Sequence, residues 1–166
     1  MQAFDRNVII AGFPGVGKSH AENIRKDVID LESSRFHYVE NAEKREMEES
    51  PSWPRNYLDE IETLYSESYR KIILVSTHRD VIEGLVFRGL PFLVVAPDRT
   101  QKNEYLVRYL RRGSSVYFIR SMWGNWDNYI DSIKQGVFRN PNNSGYYPTV
   151  IWLSSGEYLT DVLPQV

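Results

Sequence analysis

The chain has 166 residues, enough for one domain built around a single sizeable core. Its 20 Lys and Arg against 22 Asp and Glu leave a net charge of −2, so no global field draws it to nucleic acid or anionic lipid and any basic patch must be local. The absence of cysteine excludes a disulfide scaffold, a thiolate zinc site and a cysteine nucleophile.

The start, Met1-Gln-Ala-Phe-Asp-Arg6, lacks the apolar stretch of a signal peptide, and no run approaches the length of a membrane span. A soluble, cytoplasmic protein with no membrane partner is expected. The first element is the apolar run Val8-Ile9-Ile10-Ala11, which reads as a buried strand. Gly12-Phe-Pro-Gly-Val-Gly17-Lys18-Ser19 follows it and matches Gly-x4-Gly-Lys-Ser/Thr, with a helix expected over Ser19 to Lys26. In that context the glycines let backbone amides curl around phosphate oxygens while the helix N-terminus faces the same anion. Nucleotide phosphates are therefore expected against Gly12, Pro14, Gly15, Val16, Gly17, Lys18, Ser19 and His20. Lys18 would reach the β- and γ-phosphates, and the Ser19 hydroxyl would ligate Mg²⁺.

Val28-Ile29-Asp30 reads as a second strand in parallel pairing, ending in an acid on the side where such sheets gather ligands. Asp30 and Glu32 are thus candidates to orient Mg²⁺ through water or to accept a proton from a hydroxyl or phosphate acceptor. The alternative is that Asp30, Ser33 or Ser34 caps a local turn. Residues 35–70 form an insertion between strands. The charged stretch from Glu40 to Glu49 reads as a solvated helix or an excursion. Pro51 and Pro54 then open a helix from Arg55 to Tyr69 whose Leu58, Ile61 and Tyr65 share a buried face.

Ile72-Ile73-Leu74-Val75-Ser76 is a central strand, with Ser76 where mechanical ATPases put an acid, and Asp80 in the next helix. Arg79 is placed either to fork onto a phosphate or carboxylate or to pair with a nearby acid. His78, with no second ligand at metal spacing, reads as structurally satisfied. A short helix from Asp80 to Phe87 precedes the strand Phe92-Leu93-Val94-Val95. The helix expected from Thr100 to Arg112 belongs to a basic segment, about 98–113, carrying Arg99, Lys102, Arg108, Arg111 and Arg112. Such a helix could close as a lid on the γ-phosphate, or it could be a solvated helix with Glu104 paired to Arg108. Val116, Ile119, Trp123, Trp126, Ile130 and Ile133 mark an amphipathic helix over 114–134, for core packing or for a second subunit. Arg139 to Gly145 is a loop by composition, Thr149-Val-Ile-Trp-Leu153 is the fifth strand, and Ser154-Ser-Gly156-Glu157-Tyr158 turns into a closing helix.

Four stretches, Gly12 to Ser19, Ser76-Thr-His-Arg-Asp80, Arg99 to Arg112 and Gly156-Glu-Tyr-Leu-Thr-Asp161, carry a resemblance to the nucleoside and nucleotide kinases of the P-loop superfamily. The chain is most similar in layout to bacteriophage-type deoxynucleoside monophosphate kinases and adenylate kinase-like proteins. That resemblance implies a three-layer αβα fold with a five-stranded parallel sheet, the loop-bearing strand central. It implies ATP as donor, Mg²⁺ as cofactor, and Lys18 and the lid arginines as stabilisers of the transferring group; with the strand-end residues read above, the expected catalytic set is Lys18, Asp30, Arg79, Arg108 and Arg112, and the expected metal ligands are Ser19 and Asp30. The resemblance also implies Arg99, Arg108 and Gly156 on the nucleotide, with the 154–158 loop beside adenine. The chain departs from the pattern at His20, where many relatives have Ser or Thr, and at Ser76 to Arg79, where adenylate kinases show Asp-Gly-Phe-Pro-Arg.

Three functions compete on these residues. The first is a kinase of small-molecule nucleotides, a (deoxy)nucleoside monophosphate kinase. The second is a kinase of a hydroxyl on a modified DNA base or polynucleotide end. The third is a nucleotide-dependent binding or switch protein. The absence of Asp-x-x-Gly after the third strand and of Asn-Lys-x-Asp disfavours a GTPase switch.

Overall fold

The structure, a computed structural model, describes residues 6–67, 70–135 and 148–163; the loop predicted at Arg139 to Gly145 lies outside them. Five strands form one parallel sheet: β1 (Val8–Gly12), β2 (Val28–Asp30), β5 (Ile72–Val75), β6 (Phe92–Pro97) and β7 (Thr149–Leu153), in the order β2-β5-β1-β6-β7. They are the five strands the apolar runs predict, and helices flank the sheet, giving the expected α/β class. In β5 every residue is buried, and in β1 and β6 all but one, as continuous apolar runs require when both sheet faces are covered. Pairing holds Ile9 opposite both Ile73 and Phe92. From β1 the chain crosses to the edge strand β2, returns to β5 beside β1, and then passes to β6 and β7 on the other side, so the connections change direction at β1, whose carboxyl end is where a ligand crevice opens.

The helices are α1 (Lys18–Ile24), α2 (Ser34–His37), α3 (Arg55–Ser66), α4 (Arg79–Phe87), α5 (Lys102–Arg111), α6 (Val116–Lys134) and α7 (Leu159–Val162), with a 3-10 turn over Arg99–Gln101 before α5. Buried Asn7 joins the insertion to the sheet. Its amide donates to the Leu64, Tyr65 and Glu67 carbonyls at the end of α3, and its oxygen accepts from Lys71 N just before β5.

One expectation is narrowed and one needs correction. Residues 40–49 take the excursion rather than the helix: β3 (Tyr38–Asn41) and β4 (Glu46–Glu49) pair antiparallel, with Tyr38 opposite Glu49. Asn41 builds the turn, its Oδ1 accepting from the Glu43 and Lys44 amides, while Lys44 pairs with Glu48 at 2.7 Å. In α6 the buried stripe is Met122, Trp126, Ile130 and Ile133, whereas Val116 is 67% and Trp123 51% exposed. Trp123 lies one position off the stripe and is covered instead by the Lys102 ammonium, 4.1 Å from its ring centroid.

Candidate active site

The loop after β1 is a preformed cradle. Gly15 and Gly17 sit at φ 88° and 97°, the left-handed region that glycine enters without steric cost. Phe13 and Val16 turn inward and are buried, Phe13 meeting Trp126 edge-on at 5.4 Å. Phe13 N donates to Val95 O and Leu159 N to Val16 O, which ties the loop to β6 and α7. Among the described residues the amides of Gly15, Gly17 and Lys18 find no protein acceptor, the arrangement an anion requires. Lys18 Nζ donates to Gly12 O at 3.0 Å, spanning the loop. Burial draws the Lys18 ammonium below the usual lysine range; Asp30 and Glu32 oppose that shift.

Asp30 ends β2 beside this loop. Ser19 Oγ donates to its Oδ2 at 2.8 Å, and Glu22 accepts from its backbone amide. Asp30 is buried and its Oδ1 has no hydrogen-bond partner. Burial pushes its carboxyl above the ordinary carboxylate range, with Ser19 and Lys18 pulling the other way. A hydroxyl, a carboxylate and an orphaned carboxylate oxygen fit Mg²⁺, which keeps several waters and takes one or two protein ligands beside phosphate oxygens. No cluster of three or more His, Cys, Asp or Glu exists among the described residues, so a cage of carboxylates is not an alternative there.

The other predicted site residues divide. His20 is exposed on α1, and Glu32 is exposed just beyond β2. Arg79 is exposed and bonds Glu83 at 2.7 Å, taking the ion-pair alternative. Asp80 accepts from Trp53 Nε1 at 2.6 Å and is committed to the insertion. Arg99 is turned away from the loop: it pairs with Asp127 at 3.0 Å and Asp131 at 3.6 Å on α6, so nothing in its geometry supports a nucleotide contact. Gly156 N donates to Glu104 Oε1 at 3.0 Å and is not a free amide for a base. Arg108 reaches the loop through a backbone carbonyl, Gly15 O at 3.1 Å, and pairs with Glu104 at 2.6 Å. Arg112 is exposed, its Nε donating to Ser114 Oγ and its guanidinium 4.9 Å from the Tyr109 ring, and its charge is felt at Lys18.

Several tyrosines that the sequence analysis did not single out shape the site. Tyr57 OH donates to Leu31 O at 2.6 Å and accepts from Ser76 N at 3.2 Å, joining the carboxyl ends of β2 and β5. Tyr109 OH donates to Pro14 O at 2.8 Å. A Cβ at Gly17 would come within 3.2 Å of the Tyr158 ring. Each phenol acts on residues tens of positions away, so local spacing carries no trace of it. His78, bonded through Nδ1 to Ser76 Oγ at 3.0 Å, is the satisfied histidine expected at that nitrogen; burial lowers its pKa.

No protein-family description matches the chain, and no curated protein matches it. Among solved structures a gluconokinase from Sinorhizobium meliloti aligns over 92% of this chain and 85% of its own, at 15% identity and a TM-score of 0.47. An alignment at that identity and score supports no conclusion about activity.

Proposed function

We propose that the chain is an ATP- and Mg²⁺-dependent phosphotransferase acting on a nucleotide, with a (deoxy)nucleoside monophosphate as acceptor. The observation that carries it is the loop itself: positive-φ glycines, unpartnered amides and the Lys18 ammonium in one concavity, with Ser19 and Asp30 bonded to each other at its edge. The amides of Gly15, Gly17 and Lys18 would hold the β-phosphate. Lys18 would exchange the Gly12 carbonyl for β- and γ-oxygens and follow the charge as it grows on them. An acceptor oxygen attacks the γ-phosphorus in line, and the bond from that phosphorus to the ADP oxygen breaks, its electron pair leaving with ADP. Mg²⁺, held by Ser19 and by Asp30 through water, would neutralise charge across the β- and γ-oxygens. Arg112, the exposed residue that caps the carboxyl end of α5, exerts its charge on Lys18, which suits it to the departing group.

A panel of ribo- and deoxynucleoside monophosphates with labelled ATP tests this directly. Transfer to at least one is expected, and Lys18→Met should cut kcat by about 10²-fold or more with the protein still folded. Transfer to none of them rejects the monophosphate acceptor.

One observation favours a second acceptor, a hydroxyl on a modified DNA base or polynucleotide end. The acids Asp30 and Glu32 adjoin the loop, where a hydroxyl needs a proton acceptor, whereas Arg79, suited to an acceptor phosphate, is paired with Glu83. Labelled phosphate entering DNA and no mononucleotide would decide for it.

A further inference from the structure

A basic helix after the fourth sheet strand suggests a mobile lid, yet Arg108 has its donors spent elsewhere. Its Nη1 donates to Gly15 O at 3.1 Å, and its Nη2 to Glu157 O at 2.8 Å and Glu104 Oε1 at 2.6 Å. The guanidinium lies 3.9 Å from the Tyr158 ring centroid and 4.4 Å from that of Tyr105, with only 10% of the side chain exposed. Glu104, which orients it, also accepts from Ser155 Oγ at 2.7 Å and Gly156 N at 3.0 Å. One side chain therefore joins the phosphate-binding loop to the 154–158 loop, two segments more than 130 residues apart in the chain.

A trans peptide points its carbonyl and its amide in opposite directions. Arg108 holds Gly15 O outward against α5, and Tyr109 OH does the same for Pro14 O at 2.8 Å. Of the amides of the same two peptide units, Val16 N donates to Phe13 O at 3.2 Å and closes the turn, while Gly15 N finds no protein acceptor among the described residues. A carbonyl facing inward would repel a phosphate; the guanidinium prevents that reversal. Swinging α5 as a lid would break these bonds and uncover the buried rings of Tyr105 and Tyr109.

We propose that Arg108 is a positioning residue: it fixes the curvature of the phosphate-binding loop and locks that loop to the segment after β7, making α5 a buttress of the donor site rather than a lid. This rests on the reading of the loop as a nucleotide site. Its reach across two carbonyls and a carboxylate needs the planar fork of arginine, which the single ammonium of lysine does not reproduce.

The test measures ADP and ATP affinity, kcat at saturating ATP and unliganded melting temperature for the wild type, Arg108→Lys, Arg108→Gln and Glu104→Gln. Both Arg108 variants should lose affinity for ADP and ATP by the same factor, about tenfold or more, with kcat falling less and lysine giving no rescue. Glu104→Gln, which keeps the arginine but loosens it, should weaken both nucleotides equally by a smaller factor, and it carries the test if Arg108→Gln does not fold. Unchanged ADP affinity with a kcat loss of about 10²-fold, restored by lysine, would make Arg108 a γ-phosphate contact and overturn the inference. A wild type that binds neither nucleotide rejects the nucleotide-site reading itself. Normal ADP binding in all variants rejects the positioning role alone.

Discussion

Asp30 carries two burdens that pull in opposite directions. Its carboxyl is buried with one oxygen unpartnered, which disfavours the carboxylate, yet a Mg²⁺ site needs that carboxylate. Because its pKa is raised in the folded state, Asp30 adds stability below the unfolded carboxylate range. That contribution is lost as pH rises through the folded value. Measured without Mg²⁺, Asp30→Asn should therefore be more stable than the wild type at neutral pH, on the order of 1 kcal/mol, with the difference shrinking toward acid pH. The same variant should lose Mg²⁺-dependent turnover by about 10²-fold. Equal melting temperatures at neutral pH would show that burial is not the dominant influence on this carboxyl. Gly15 offers a second test, since it sits at φ 88° and a Cβ there would lie 2.8 Å from Tyr109 Cε1. Gly15→Ala should cost about 1–3 kcal/mol in urea unfolding and reduce nucleotide affinity with it.

Among the elements, those marked by continuous apolar runs were legible from sequence because burial on both faces leaves little else a strand of the sheet can be. The hairpin of β3 and β4 was not, because it is largely exposed: Glu40, Glu46, Glu48 and Glu49 supply no alternation. Lys18, Ser19 and Asp30 were legible as neighbours because a loop and the end of an adjacent strand leave few places to go. The arginines were legible only within their own helices, where Arg79 and Arg108 take the expected alternatives of an acid partner, Glu83 and Glu104; their longer reach was not, since a long side chain chooses among partners on other elements. Arg99 illustrates the cost of reading charge without partners. Half exposed and paired with Asp127 and Asp131 on α6, it belongs to the class of surface ion pairs that contribute little. Arg99→Ala should leave the urea-unfolding midpoint nearly unchanged and ATP affinity unaltered. A loss of affinity beyond a few-fold would return Arg99 to the donor site.

At the scale of the whole molecule, charge discriminates between acceptors. The net charge is −2, and the glutamate-rich hairpin is rooted at the carboxyl end of β5: His37, at its base, stacks on Trp53 with centroids 4.3 Å apart and meets the His78 ring edge at 5.7 Å. Asp30, Glu32 and Asp80 add further negative charge on that side, with Lys18 the cation whose field reaches both Asp30 and His78. A polyanionic strand laid across this region would meet repulsion where nucleic-acid channels supply lysine and arginine, and it would release few counterions on binding. A mononucleotide, with its one phosphate close to Lys18 and the loop, avoids most of that field. The acceptor KM should accordingly shift by no more than a few-fold between about 50 and 200 mM salt, whereas an acceptor held through six to ten phosphate contacts would weaken by roughly 10³- to 10⁵-fold over that range. A steep salt dependence would mean that basic groups on another face grip a polynucleotide, and the acceptor would then be the hydroxyl of a nucleic acid despite the acidic hairpin.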